Sequence, residues 1–181
     1  MLNSILRLAR LYLDVAIWRR GPQDIPAVGI LLPLTMSAYV VLSLAIGEAV
    51  PSLRAGWLEE VLVDTAFLAI WYWVLLGLAR RRERYQQTAC ALFGLQTVLA
   101  APSIGSLWLT QWLSADKSLQ SSAFDVVIVV ALSSALLVWT LLATSHIVRA
   151  ALERSMALCL ILAFAQMLAE GILLESFNPG H

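Results

Sequence analysis

The chain has 181 residues, of which 60% are hydrophobic and 13% charged, and its mean hydropathy is +0.81. Soluble domains are roughly 45–50% apolar and about 25% charged, so this composition excludes an ordinary water-soluble fold and points to lipid as the solvent. Twelve Lys and Arg cancel twelve Asp and Glu, which excludes a basic nucleic-acid binder or a strongly acidic domain.

Over residues 1–20, Asn3, Arg7, Arg10 and Asp14 recur at helical spacing and leave Leu2, Ile5, Leu6, Leu8, Leu13 and Ile17 on the remaining surface. The pattern predicts an amphipathic helix. It either lies in the membrane interface with Trp18 at headgroup depth, or packs on the protein's own cytoplasmic loops. Charges interrupt the apolar run and no small-residue cleavage site follows it, so a cleavable signal peptide is not expected. Gly21-Pro22 ends the helix, and Pro26 suits the first turn of the next one.

A hydrocarbon core about 30 Å thick takes about 20 apolar residues to cross as a helix. Five runs qualify: 26–46, 61–79, 88–112, 124–148 and 156–174. All are expected to be helical, because a single segment in lipid must satisfy its own backbone hydrogen bonds. The short alternating segments of a β-barrel are absent from the sequence. The predicted fold is an all-α integral-membrane bundle of five transmembrane helices preceded by an N-terminal amphipathic interfacial helix, one membrane domain over 1–181.

Ten basic residues lie before the first span, after the second, or between the fourth and fifth, alongside Asp14, Asp24, Glu83 and Glu153. The opposite side carries Arg54 and Lys117 with the other eight acids. The positive-inside rule then places the N-terminus in the cytoplasm and the C-terminus outside. The zero net charge is thus a vector across the bilayer, and its basic face is suited to anionic headgroups. Trp57, Trp108 and Trp112 beside the outer loops read as an interfacial aromatic belt. Cys90 and Cys159, near the cytoplasmic ends of their spans, read as small buried packing residues rather than a disulfide.

Polar groups at membrane depth are the informative positions, because an ionised side chain there costs about 2.5–3.5 kcal/mol or more. Asp64, Asp125 and Glu170 all fall toward the outer surface. They could converge into an acidic site for a cation or proton, or, being shallow, reach interfacial water or pair with Arg54 or Lys117. Glu170 is the deepest. Gln96 and Gln166, near the middle of spans three and five, are candidates for interhelical hydrogen bonding or substrate contact. His146 could titrate or bind a metal but has no ligand-spaced companion. Ser133, Ser134, Thr140 and Thr144 offer small faces for close packing. Pro33 and Pro102 each predict a bend inside a span, and the run around Pro102 makes span three the helix expected to break, either as a packing kink or to expose backbone to a substrate. Nucleotide-binding, zinc-protease, dithiol and serine-hydrolase motifs are absent from the sequence. No catalytic residue, metal or cofactor is predicted.

The layout resembles the Yip1-type membrane domain of bacterial inner membranes and of Golgi and ER proteins. Three stretches carry the likeness: IWRRGPQDIPAVGILLPL entering span one, LQTVLAAPSIGSLW in span three, and VWTLLATSHIVRAALERSMAL joining spans four and five. The resemblance implies a small multi-pass protein without catalytic residues. Eukaryotic members engage small GTPases through longer cytoplasmic N-termini. The roughly 25 residues here suggest a bacterial inner-membrane member acting within the bilayer, with lipid headgroups and other membrane proteins or further copies of itself as partners. The expected function is a non-enzymatic scaffold or accessory subunit of a membrane complex, or a factor in membrane organisation. The alternative is a small oligomeric transporter or channel unit for a cation, proton or small solute.

Overall fold

A computed structural model describes residues 2–49, 56–115 and 123–177, with side chains described over 7–47, 56–106, 108–109 and 127–177. Among the described residues the chain is helical and contains no strand. Six α-helices follow one another: α1 (Leu2–Ala16), α2 (Leu31–Ala49), α3 (Trp57–Leu78), α4 (Tyr85–Ala115), α5 (Ala123–Leu152) and α6 (Met156–Phe177). Short 3-10 turns at Pro22–Asp24 and Arg82–Arg84 precede α2 and α4. Stretches long and apolar enough to cross a membrane are Trp57–Leu78, Arg82–Ser106, Val127–Leu152 and Met156–Phe177, four among the described residues. A shorter apolar helix, Leu31–Gly47, accompanies them.

The segment 26–30, expected inside the first span, is not helical. The Gln87 side-chain amide donates to the Ile25 carbonyl at 3.0 Å and that of Gln86 to Val28 at 3.1 Å. The Ile25 carbonyl thus finds its donor on α4, and that of Val28 accepts both from the Gln86 amide and, at 2.9 Å, from the Leu31 N–H at the start of α2. Pro26 therefore does not open the helix. Pro33 falls in the first turn of α2, where its missing N–H would have lacked an intrahelical partner anyway, so the bend expected there has no cause. Pro102 lies inside α4, which nevertheless runs unbroken from Tyr85 to Ala115. Hydroxyls on either side of the proline fold back on the same helix, Thr97 to Phe93 and Ser103 to Leu99, both at 2.8 Å. The expected break in span three is absent.

At the other helix ends the chain uses left-handed residues. Gly56 (φ 79°) precedes α3, whose first turn carries Glu59 and Glu60 beside the positive end of the helix dipole. Arg80 (φ 56°) follows α3 and Glu153 (φ 54°) follows α5, in the position glycine usually occupies after a helix.

Helix α4 is central and touches α1, α2, α3 and α5, while α6 packs on α3 and α5. The most deeply buried side chains include Tyr72 and Leu76 of α3, Cys90, Phe93 and Leu95 of α4, and Ile147 of α5. Both cysteines are buried and free. In lipid, such contacts hold helices together mainly by close packing, because the tails are as apolar as the side chains.

Helix α1 closes one end of this core. Leu11, Tyr12, Val15 and Ala16 are buried in it, and the Trp139 indole N–H donates to the Ala16 carbonyl at 2.9 Å. Arg7 and Arg10 are exposed, and so are Leu13, Ile17 and Trp18. The helix thus has a packed face, a polar face and an exposed apolar face.

At this same end the basic turns meet. Arg81 and Arg84 both pair with Glu153, at 2.6 and 2.5 Å, and Arg84 also donates to the Ala150 carbonyl at 3.0 Å. The two guanidinium groups hold the Glu153 carboxyl below its usual range, with the Arg84 hydrogen bond the largest cause. The turn after α3 and the turn after α5 are therefore clasped together, and the Pro22–Asp24 turn packs against α4 and α5 beside them.

A carboxyl pair as candidate functional site

At the opposite end of the bundle, α2, α3, α4 and α6 enclose an open cavity of about 270 Å³. Asp64 lies seven residues from the start of α3 and Glu170 seven from the end of α6, so at 1.5 Å per residue each sits about 10 Å in from its helix end. Tyr39 enters from α2. Ala100, Ser103 and Ile104 of α4 form the far wall.

The Tyr39 hydroxyl donates to Asp64 Oδ2. Asp64 is only 7% exposed, and its second oxygen, Oδ1, is buried with no hydrogen-bond partner. Glu170 faces Asp64. Its Oε2 accepts from the Gln166 side-chain N–H at 2.6 Å, and Gln166 Oε1 in turn accepts from the Tyr72 hydroxyl at 3.0 Å. Two hydrogen-bonded sets therefore meet where Asp64 faces Glu170, Tyr39 with Asp64 on one side and Glu170 with Gln166 and Tyr72 on the other, across α2, α3 and α6. An ionised carboxylate removed from water needs a counter-charge or several donors. Asp64 has one donor for its two oxygens, so this pair is short of a positive charge.

The wall opposite is apolar and aromatic. The Trp57 indole N–H donates to the Ser43 carbonyl at 2.6 Å and pins the start of α3 to α2. Gly47 makes room for this ring: a Cβ there would lie 1.8 Å from Trp57 Cδ1. Trp57 is thereby a wall of the cavity, while Trp108 is exposed and Trp112 lies outside the described side chains. Glu60 also borders the cavity, one helical turn closer than Asp64 to the start of α3.

Of the residues singled out in the sequence, the fold brings together Asp64, Glu170 and Gln166. The side chain of Asp125 lies outside the described residues, as do Arg54 and Lys117. Gln96 is half-buried on α4 and forms no side-chain hydrogen bond among the described residues, so of the two glutamines only Gln166 joins helices. His146 is half-buried near the basic end and away from the cavity. Pro102 contributes no exposed backbone break. Thr144 is buried and Thr140 bonds back to the Leu136 carbonyl at 2.9 Å, whereas Ser133 and Ser134 point outward. Among the described residues no group of three or more His, Cys, Asp or Glu could hold a metal ion.

Tyr39 and Tyr72 are the residues that sequence reasoning missed. A tyrosine in the interior of an apolar helix has a hydroxyl that must find a partner, and that was the available signal.

Compared with known proteins, the chain matches no family model, and neither curated proteins nor solved structures show significant similarity to it.

Proposed function

We propose that the protein is a non-enzymatic, five-span bacterial inner-membrane protein, kin to the Yip1-type proteins, whose outer-half cavity binds a proton or small cation as the working step of a small transport or channel unit. The observation that carries this reading is the buried Oδ1 of Asp64, which has no hydrogen-bond partner, in a carboxyl that shares a largely apolar cavity with Glu170. Two acids so placed need a proton or cation between them, and intramembrane acids of this kind mark ion or proton pathways.

Supporting the topology, the Arg81, Arg84 and Glu153 clasp gathers two basic turns at the α1 end, which the positive-inside rule puts in the cytoplasm. Helix α2, with 19 residues, is the fifth span; its length of about 28 Å nearly matches the hydrocarbon core. Helix α1 lies in the cytoplasmic interface, its Leu13, Ile17 and Trp18 face in lipid and Arg7 and Arg10 at anionic headgroups.

The test is flux in proteoliposomes. Wild-type protein should carry protons or monovalent cations down an imposed gradient, and Glu170→Gln should abolish this while the purified protein remains monodisperse. Equal flux for both would remove the reading.

A second reading, as a scaffold or accessory subunit, draws on α5. Residues 130–135 of its outer half are exposed on every side, and they include Ala131, Ser133, Ser134 and Ala135. Small and hydroxyl residues of this kind favour close approach of another helix. Its occupant would be a transmembrane helix of another membrane protein. Cysteine cross-linking from position 134 in native membranes should capture that partner, and the absence of any adduct would remove this second reading.

A further inference from the structure

Building on the cation-site reading, we infer that the cavity takes a singly charged organic ammonium, admitted in exchange for one proton held between Asp64 and Glu170. The charge follows from the acids. With both carboxylates bare the pair is doubly negative; either one proton or one monovalent cation reduces that by one. Exchanging the two leaves the net charge of the site unchanged. As the ammonium arrives, the carboxyl O–H bond breaks, its electron pair stays on the carboxylate, and the proton leaves to water.

The acceptor geometry fits an ammonium. Asp64 is more than nine-tenths buried, and its Oδ1 has no donor while Oδ2 is taken by Tyr39. Glu170 accepts from Gln166 and faces Asp64. An R–NH₃⁺ group brings three donors on a compact charge. The groups that face the pair come from three helices: Tyr39 from α2, Glu60 and Tyr72 from α3, and Gln166 from α6. Helix α4 presents Ala100, Ser103 and Ile104 and no charge.

The walls favour a carbon framework over a bare metal ion. Tyr39 and Trp57 supply rings for a cation, and Ile46, Val61, Ile104 and Leu174 supply apolar surface. Among the described residues no set of three ligating side chains would replace a metal's hydration shell. At about 270 Å³ the cavity is slightly below the ordinary range of small-molecule sites, which suits one ring or a short alkyl chain bearing the amine.

The test is titration calorimetry on the full-length protein in mild detergent, with benzylammonium chloride as probe and benzyl alcohol and sodium chloride as comparisons. Measurement in buffers of different ionisation enthalpy counts protons. Benzylammonium should bind and release up to about one proton per ligand, with affinity falling by up to about tenfold per pH unit as the solution is acidified. Benzyl alcohol should not bind, and sodium should displace no proton. Asp64→Asn and Glu170→Gln should each weaken benzylammonium by about thirtyfold or more, while Gln96→Leu, away from the cavity, should not. Equal binding of the alcohol, binding without proton release, or displacement of the proton by sodium would overturn the assignment, and none of these needs a variant to fold. If flux depends on Glu170 but benzylammonium does not bind, the ligand class is wrong and the proton or cation site stands. If flux ignores Glu170, both fall.

Discussion

The Tyr72 hydroxyl donates to Gln166 Oε1 at 3.0 Å, joining two helices whose partners are 94 residues apart in sequence. Gln166 is only 3% exposed, and its amide N–H passes the connection on to Glu170. One side chain thus both ties α3 to α6 and orients the acid at the cavity.

Removing the donor should therefore be felt twice. Tyr72→Phe leaves Gln166 Oε1 without its partner and should destabilise the protein by about 1 kcal/mol, in the range of interhelical hydrogen bonds within membranes. Gln166→Leu should cost at least as much, because it also strips Glu170 of a donor. Gln96→Leu should fall within about 0.5 kcal/mol of wild type. Thermal unfolding in detergent ranks the three, and a Gln96 effect equal to that of Gln166 would contradict the assignment.

Docking of α1 rests on a close approach. A Cβ on Gly94 would lie 2.2 Å from Tyr12 Cδ1, inside the ring's own volume. Tyr12 is buried and, with Gly94, lines an open cavity of about 420 Å³ between α1, α2 and α4, so the ring relieves the clash only by giving up its place in the core. Gly94→Ala should cost about 1–3 kcal/mol as an overpacking substitution, and should loosen α1 from the bundle. Faster proteolysis between Ala16 and Gly21 in the variant is the expected readout, and unchanged protection would show that the helix docks without this contact.

The basic clasp has a defined pH dependence. Because Arg84 and Arg81 lower the Glu153 carboxyl below its unfolded value, the clasp contributes stability above the ordinary carboxylate range and loses it as pH falls through the lowered folded value. The difference in melting temperature between wild type and Glu153→Gln should be constant near neutrality and shrink only at acid pH. Arg84→Ala should lower the melting temperature more than Glu153→Gln, since Arg84 also caps the last carbonyls of α5. A difference that grows on acidification would contradict this.

Much of the helical layout was legible because long uncharged runs leave few alternatives in lipid. Helix α3 starts at Trp57, before the predicted 61, because Glu59 and Glu60 favour a helix N-terminus although they add nothing to hydropathy. The start of α2 was misplaced because the Gln86 and Gln87 contacts that hold the preceding segment out of the helix come from a distant part of the chain. The meeting of Asp64 and Glu170 was foreseeable from their similar depth. Which polar residue would complete the site was not, since helices apolar on all sides do not declare their inward face. Gln166 and Gln96 looked alike in sequence, and helix rotation alone separates them. Tyr39 and Tyr72 were hidden for the same reason.

The most direct measurement of the central claim is the infrared spectrum of the purified protein across a pH titration, reading the C=O stretch of protonated carboxyl groups. A pair that shares one proton predicts a carboxyl band in the wild type that disappears as pH rises or as benzylammonium is added, and that is absent or displaced in Asp64→Asn and Glu170→Gln. A wild-type spectrum in which neither variant changes any titrating band would contradict the account.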